Sequence, residues 1–171
     1  MIGIAVGWAY AHLGEWAIHK YVLHGAAKKR GHPLSFHFHE HHRASRQNGF
    51  QDPIYDSHAF RWNAAGKEGL GLVLLTAAHL PLLPVAPFFT AAVIASTVQY
   101  YRVHKRAHVD PAWAREHTPW HYDHHMAPNQ DANYGIRSDW VDRLLGTREP
   151  YVGTEREERD RARRDAARRA A

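Results

Sequence analysis

The stretch FHFHEHHR, residues 36–43, sets four histidines within six positions, and any fold of this chain has to find partners for them. The run is internal, so it is not a terminal tag. HKYVLH precedes it at 19–24, while HKRAH at 104–108 and HYDHH at 121–125 follow far along the chain. In all, 16 of 171 residues are histidine. Imidazole is the commonest protein metal ligand and titrates close to neutral pH, so metal binding is the leading expectation.

The chain has no cysteine. Disulfides, thiolate zinc sites and iron–sulfur clusters are therefore excluded, and a metal has to be held by nitrogen and oxygen. Lys and Arg number 22 against 17 Asp and Glu, a net charge of +5 with histidine neutral. Much of the arginine lies in the closing tail, which is a weak argument for nucleic acid, and no nucleic-acid partner is expected. With 44% hydrophobic residues, the length suits one domain with an ordinary core. The apolar N-terminus lacks a basic n-region and a small-residue cleavage site, so it reads as mature structure.

Hydropathy divides the chain into apolar segments and polar connections. Residues 1–23 are mostly apolar, with His12, Glu15 and His19 on one helical stripe. A second apolar region, 69–101, is broken by Pro81, Pro84 and Pro87, which predicts two helices joined by a proline turn. Each arm is shorter than the roughly 20 residues of a perpendicular membrane span, which leaves a re-entrant hairpin or a soluble bundle. Basic residues decide for the membrane at this stage. Lys28, Lys29 and Arg30 follow the first segment and Arg102, Lys105 and Arg106 follow the hairpin, placing both ends and all the histidines on the cytoplasmic side. The expected fold is an all-α, membrane-embedded helical bundle with a cytoplasmic histidine-rich di-metal cap over 1–150. DWVDRLLGT, 139–147, reads as a short helix ended by its glycine, and 151–171 as a charged, solvated tail.

On an α-helix, His104 with His108, and His121 with His124 or His125, share a face and can converge on one ion. Neighbouring histidines such as His41–His42 and His124–His125 point about 100° apart, which suits two ions, one for each member of the pair. Ten or so ligands exceed what one ion can use. His19 and His24 stand about 140° apart on an ideal helix, so they are expected to reach the site from a helix and its frayed end.

HKYVLH, FHFHEHHR, HKRAH and HYDHH, in that order and with the apolar hairpin between the second and third, resemble the histidine boxes of the membrane fatty acid hydroxylase and sterol desaturase superfamily. NYGIRSDWVDRLLGT is similar to its closing segment, and the likeness covers roughly 12–150. The family's second box reads HxxHH, but position 38 is Phe; either His37, favoured by helical spacing to His41, or His39 fills the role. The resemblance implies a di-metal centre, two iron ions in the active form, with zinc able to occupy a purified sample. It also implies O2, a lipid substrate in contact with the membrane, and electrons from a separate ferredoxin or cytochrome b5-like donor. The substrate would be hydroxylated or desaturated at an unactivated C–H bond, with a carotenoid-hydroxylase-like role as the nearest variant. The implied ligands are His19, His24, His37, His39, His41, His42, His104, His108, His121, His124 and His125.

Glu15 is a carboxylate inside an apolar helix, four residues before His19, and is expected to accept a ring N–H from a ligand. His12, His117 and Asp123 are expected around the site without binding metal, and Asp110 is a weaker candidate. His32, His58 and His79 are set aside as ordinary hydrogen-bonded or exposed histidines. Two rivals remain: a zinc hydrolase with Glu40 as general base, and a non-catalytic metal-binding membrane protein.

Overall fold

A computed structural model describes residues 2–56 and 61–170, and every regular element among them is helical. His58 lies outside the described residues. Helix α1, Ile2–Ala17, runs unbroken into a π-helical turn, Ile18–Leu23. A second π-helical turn, His37–His42, leads directly into α2, Arg43–Gln47. Asn63 caps α3, Ala64–His79, by accepting from Gly66 N. The three prolines then act as expected: a 3-10 turn, Leu80–Leu82, closes α3, and Pro87 opens the long α4, Pro87–Val109.

Asp110 ends α4 and caps α5, Pro111–His117, by accepting from Trp113 N, so its carboxylate is used in the fold. Helix α6, Pro119–Met126, carries the fourth histidine group. Helix α7, Trp140–Leu144, is followed by Gly146 at φ +68°, the left-handed conformation that glycine adopts without strain. Helix α8, Glu155–Ala170, closes the chain.

Helices α1 and α4 lie side by side and point the same way, because Gly3 meets Phe88 and Gly7 meets Ala92. A Cβ on Gly7 would stand 2.7 Å from the Phe89 carbonyl oxygen, so only glycine permits this approach. Both helices therefore deliver their histidines at one end of the bundle. Helix α3 runs antiparallel to α4, with Glu68 beside His104 and His79 beside Phe89. Phe50, Ala107, Ala114, Tyr122, Met126 and Tyr151 form a core at the histidine end. The tail is anchored there too. Tyr151 is buried in that core, and the buried carboxylate of Glu157 pairs with Arg115, while Arg156–Asp160 and Arg159–Glu155 are exposed pairs that contribute little.

The membrane-embedded architecture is corrected. Among the described residues no helix is long and apolar enough to cross a membrane. Helix α3 has 16 residues, about 24 Å at 1.5 Å per residue against a hydrocarbon core of about 30 Å, and the continuation of α1 through its π turn adds His19 and Lys20. Helix α4 has 23 residues, but its last third carries Arg102, His104, Lys105, Arg106 and His108. The architecture is an all-helical fold with a buried histidine cluster, and the apolar side chains of α1 and α3 are divided between the bundle and its surface. Ile2, Val6, Val73, Leu74, Val85 and Phe88 all stand exposed.

Candidate metal centre

Two adjacent groups of buried histidines can each hold a metal ion. The first comprises His19, His24, His37, His42 and His124, and the second His41, His104, His108 and His125. Each adjacent pair is split, His42 and His124 serving the first group, His41 and His125 the second. The groups abut, with the His42 and His125 rings 4.1 Å apart.

The first group is built by π winding. His24 N donates to His19 O at 2.9 Å, an i to i+5 bond that widens the turn and stacks residues five apart. His37 and His42, also five apart, sit in the second π turn. His24 itself is the C-cap of the π turn, so it comes to the site from the end of the helix that carries His19. The second group uses α geometry, with His104 and His108 one turn apart on α4. His121 lies beside it, its Nε2 3.0 Å from His108 Nε2, four residues before His125 on α6.

Proton placement decides what these rings can do. Nδ1–H of His19 donates to Tyr134 O at 2.6 Å, of His124 to Ala132 O at 2.6 Å, of His42 to Gln130 Oε1 at 2.9 Å, and of His24 to Asp131 Oδ1 at 3.2 Å. A neutral ring that gives its proton at Nδ1 presents a bare lone pair at Nε2. The Nε2 atoms nevertheless meet at 3.0–3.2 Å, across His19–His37, His24–His42, His37–His42, His24–His124 and His42–His124. With their protons committed elsewhere, four of these five rings cannot hydrogen-bond one another through Nε2. Converging lone pairs repel unless a cation lies between them.

The spacing also speaks to geometry. Nitrogens about 2.1 Å from an ion and at right angles stand about 3.0 Å apart, against about 3.4 Å in a tetrahedron. The first group also offers five rings, one more than the four ligands of a structural zinc. In the second group, His41 Nδ1 donates to Asp52 at 2.7 Å, His104 Nδ1 to Glu68 at 2.6 Å, and His108 Nδ1 to the Phe50 carbonyl at 2.9 Å. Nε2 of His41 and of His104, and both ring nitrogens of His125, are buried without a protein partner. An ion is the natural partner for such atoms.

Burial disfavours the protonated form of most of these rings. Burial lowers the His19 pKa to about 4, partly opposed by the Tyr134 carbonyl. Burial, reinforced by neighbouring imidazoles, holds His24, His37, His41, His42, His121, His124 and His125 below the ordinary value. His108 is lowered by burial and by His104. Burial would raise Glu68, but His104 and hydrogen bonds from Tyr55 and Tyr100 hold it below the usual range. Asp52 is raised by burial to about 6.

Several expected residues lie elsewhere. His39 donates to the Lys28 carbonyl at 2.8 Å and belongs to neither group, whereas His37 belongs to the first. Glu15 meets no histidine: it accepts from Ile136 N at 2.6 Å and pairs with Arg137 Nε at 2.7 Å, locking the loop that supplies the Tyr134 carbonyl. The correction has a simple cause, since a buried carboxylate facing a buried guanidinium is satisfied without an imidazole. His12 bonds Ser138 Oγ at 3.1 Å and packs on Trp8, and burial then Arg137 lower its pKa to about 4. His117 is an exposed ring stacked on Trp113, outside the site. Asp123 is buried but pairs with Arg148 and accepts from Val152 N. Glu40 is at the surface, paired with Lys67.

Four partners of the ligand rings escaped the sequence reading: Asp52, Glu68, Gln130 and Asp131. Only Glu68 carried a signal, being a carboxylate at the head of the apolar run GLGLVLL, the same cue that drew attention to Glu15. A cavity of about 270 Å³ opens beside the two groups, touching His19, His37 and His41 and extending between α1, α3 and α4. No family model matches this chain, nor does any curated protein or solved structure.

Proposed function

We propose that this protein is a di-metal oxygenase, with iron as the native metal, that hydroxylates or desaturates an unactivated C–H bond of a lipid. It would use dioxygen and electrons from a separate ferredoxin or cytochrome b5-like donor, as does the superfamily its histidine boxes resemble. The observation that carries the reading is the convergence of proton-free Nε2 lone pairs at two abutting points. Two irons bound there would supply dioxygen activation and oxidation of a C–H bond.

The chain's own residues do the rest. Carbonyls of Tyr134, Ala132 and Phe50 hold the ring orientations, and Asp52 and Glu68 add basicity to His41 and His104. Leu23, Leu34, Phe36 and Leu72 line the cavity and exclude water from it, as a lipid chain requires. Tyr55 and Tyr100 keep hydroxyl protons on Glu68 at the cavity wall. The exposed apolar side chains of α1 and α3 support contact with a lipid surface from which such a substrate arrives. A zinc hydrolase fits less well, because its candidate base, Glu40, is exposed and paired with Lys67.

The test is elemental analysis of protein from iron-supplemented cells, with Mössbauer spectroscopy on an iron-57 sample. The expected result is about two irons per chain with an exchange-coupled signal. Zinc alone, persisting after anaerobic iron reconstitution, overturns the reading.

A further inference from the structure

The cavity has a second polar feature far from the histidine groups. Tyr10 and His79 both line it, with Tyr10 Oη 3.0 Å from His79 Nε2. Tyr10 precedes His19 by nine residues and His79 follows Glu68 by eleven, so the pair lies about 13–16 Å along the helices from the metal-binding end. Phe89 on α4 packs on both rings. Between the two ends the wall is mainly apolar; of its polar groups, the Thr97 hydroxyl is spent on the Val93 carbonyl, Glu15 is paired with Arg137, Tyr100 bonds Glu68, and Ser96 also lines it.

The direction of the Tyr10–His79 bond follows from its neighbour. His79 Nδ1–H donates to the Leu75 carbonyl at 2.8 Å, which leaves Nε2 of the neutral ring as an acceptor. Tyr10 therefore donates its proton to His79 and keeps its oxygen lone pairs. Among the described residues nothing donates to that oxygen. His79 is buried, while Tyr10 is 47% exposed, so this end of the cavity reaches the surface. The arrangement offers a fixed acceptor at one end of the cavity, whose cationic wall groups, Lys67 and Arg137, are paired with Glu40 and Glu15.

We propose that Tyr10, oriented by His79, binds the hydroxyl of an amphiphilic ligand whose apolar chain runs inward to the histidine groups. The inference rests on the cavity being the substrate site, and it assigns a class within the lipids: an alcohol in preference to a carboxylate or a plain hydrocarbon. It also fixes polarity. The oxidised carbon lies toward the end of the chain remote from the hydroxyl.

The test uses zinc-loaded protein, in which nothing turns over, and calorimetric titration with 1-decanol, decanoate and decane. The expected order is decanol tightest, with Tyr10→Phe weakening decanol about tenfold and leaving decane unchanged, since one hydrogen bond is lost. His79→Leu frees the Tyr10 proton and should shift preference from decanol toward 2-decanone. Equal weakening of decanol and decane in Tyr10→Phe, no weakening of either, tighter decanoate binding, or no binding by wild type overturns the inference. Iron stoichiometry, measured separately, tests the oxygenase reading, so each can fail without the other.

Discussion

The two histidine groups solve one problem with different means. The first gathers five rings through two π-helical turns, and three of its four fixed Nδ1 protons go to neutral or near-surface acceptors: Tyr134 O, Ala132 O and Gln130. Its one carboxylate partner, Asp131, is 53% exposed. The second uses ordinary α spacing on α4, and two carboxylates, the buried Asp52 and the largely buried Glu68, stand behind His41 and His104. Buried carboxylates make stronger donors of the rings they hold. A metal ion in the second group would thus be retained more firmly than one in the first, which is richer in rings and weaker in support.

Single-ligand substitutions break the pair apart most sharply. His42→Ala should cost the first site its ion and His41→Ala the second, each leaving about one metal per chain by elemental analysis. Loss of both ions from either variant would show one inseparable centre. Next in size, Glu68→Gln or Asp52→Asn should weaken metal retention at the second site by about 10- to 100-fold in chelator competition, and Gln130→Ala should do less at the first. Equal effects would erase the contrast.

A pH titration of metal-free protein probes both groups together. Burial lowers the ring pKa values of His19, His24, His37, His42 and His124 in the first group and of His41, His108 and His125 in the second, so below about pH 6.5 the unfolded chain takes up protons that the folded one refuses. For His19 that window runs from 6.5 down to about 4. Stability should therefore be full above the unfolded value and fall as pH drops, by up to about 1.4 kcal/mol per pH unit for each such ring. Denaturant midpoints that stay flat from pH 7 to 4.5 would contradict this. The smallest effect is expected at His39→Ala, which removes one hydrogen bond to Lys28 O, costs about 1 kcal/mol in urea unfolding and leaves metal content unchanged. Metal loss there would return His39 to the ligand set.

Hydropathy misled in one respect for a reason these helices make plain. The apolar region of 69–101 was legible as two helices around prolines, but apolar composition does not say whether a helix faces lipid or its neighbours. The shortness of α3, the polar residues in the continuation of α1, and the early arrival of charge on α4 are what withhold a span. Glu15 shows a related limit, since a carboxylate in an apolar helix has a partner, yet its identity, Arg137, lies 122 residues away.

Local geometry was carried by the residues themselves. His104 and His108 share a face at any time α4 is helical, and adjacent histidines diverge by about 100° whatever surrounds them, so a two-sided site was implicit in HEHH and HYDHH. Three things were settled only by the folded chain. The π winding that aligns His19 with His24 depends on a shift in backbone hydrogen bonding, to which side-chain spacing at 100° per residue is blind. The choice of His37 over His39 depends on which ring the Lys28 carbonyl captures. The protonation pattern depends on carbonyls of Phe50, Ala132 and Tyr134, and a backbone carbonyl is the same group in every residue, so no sequence pattern announces it.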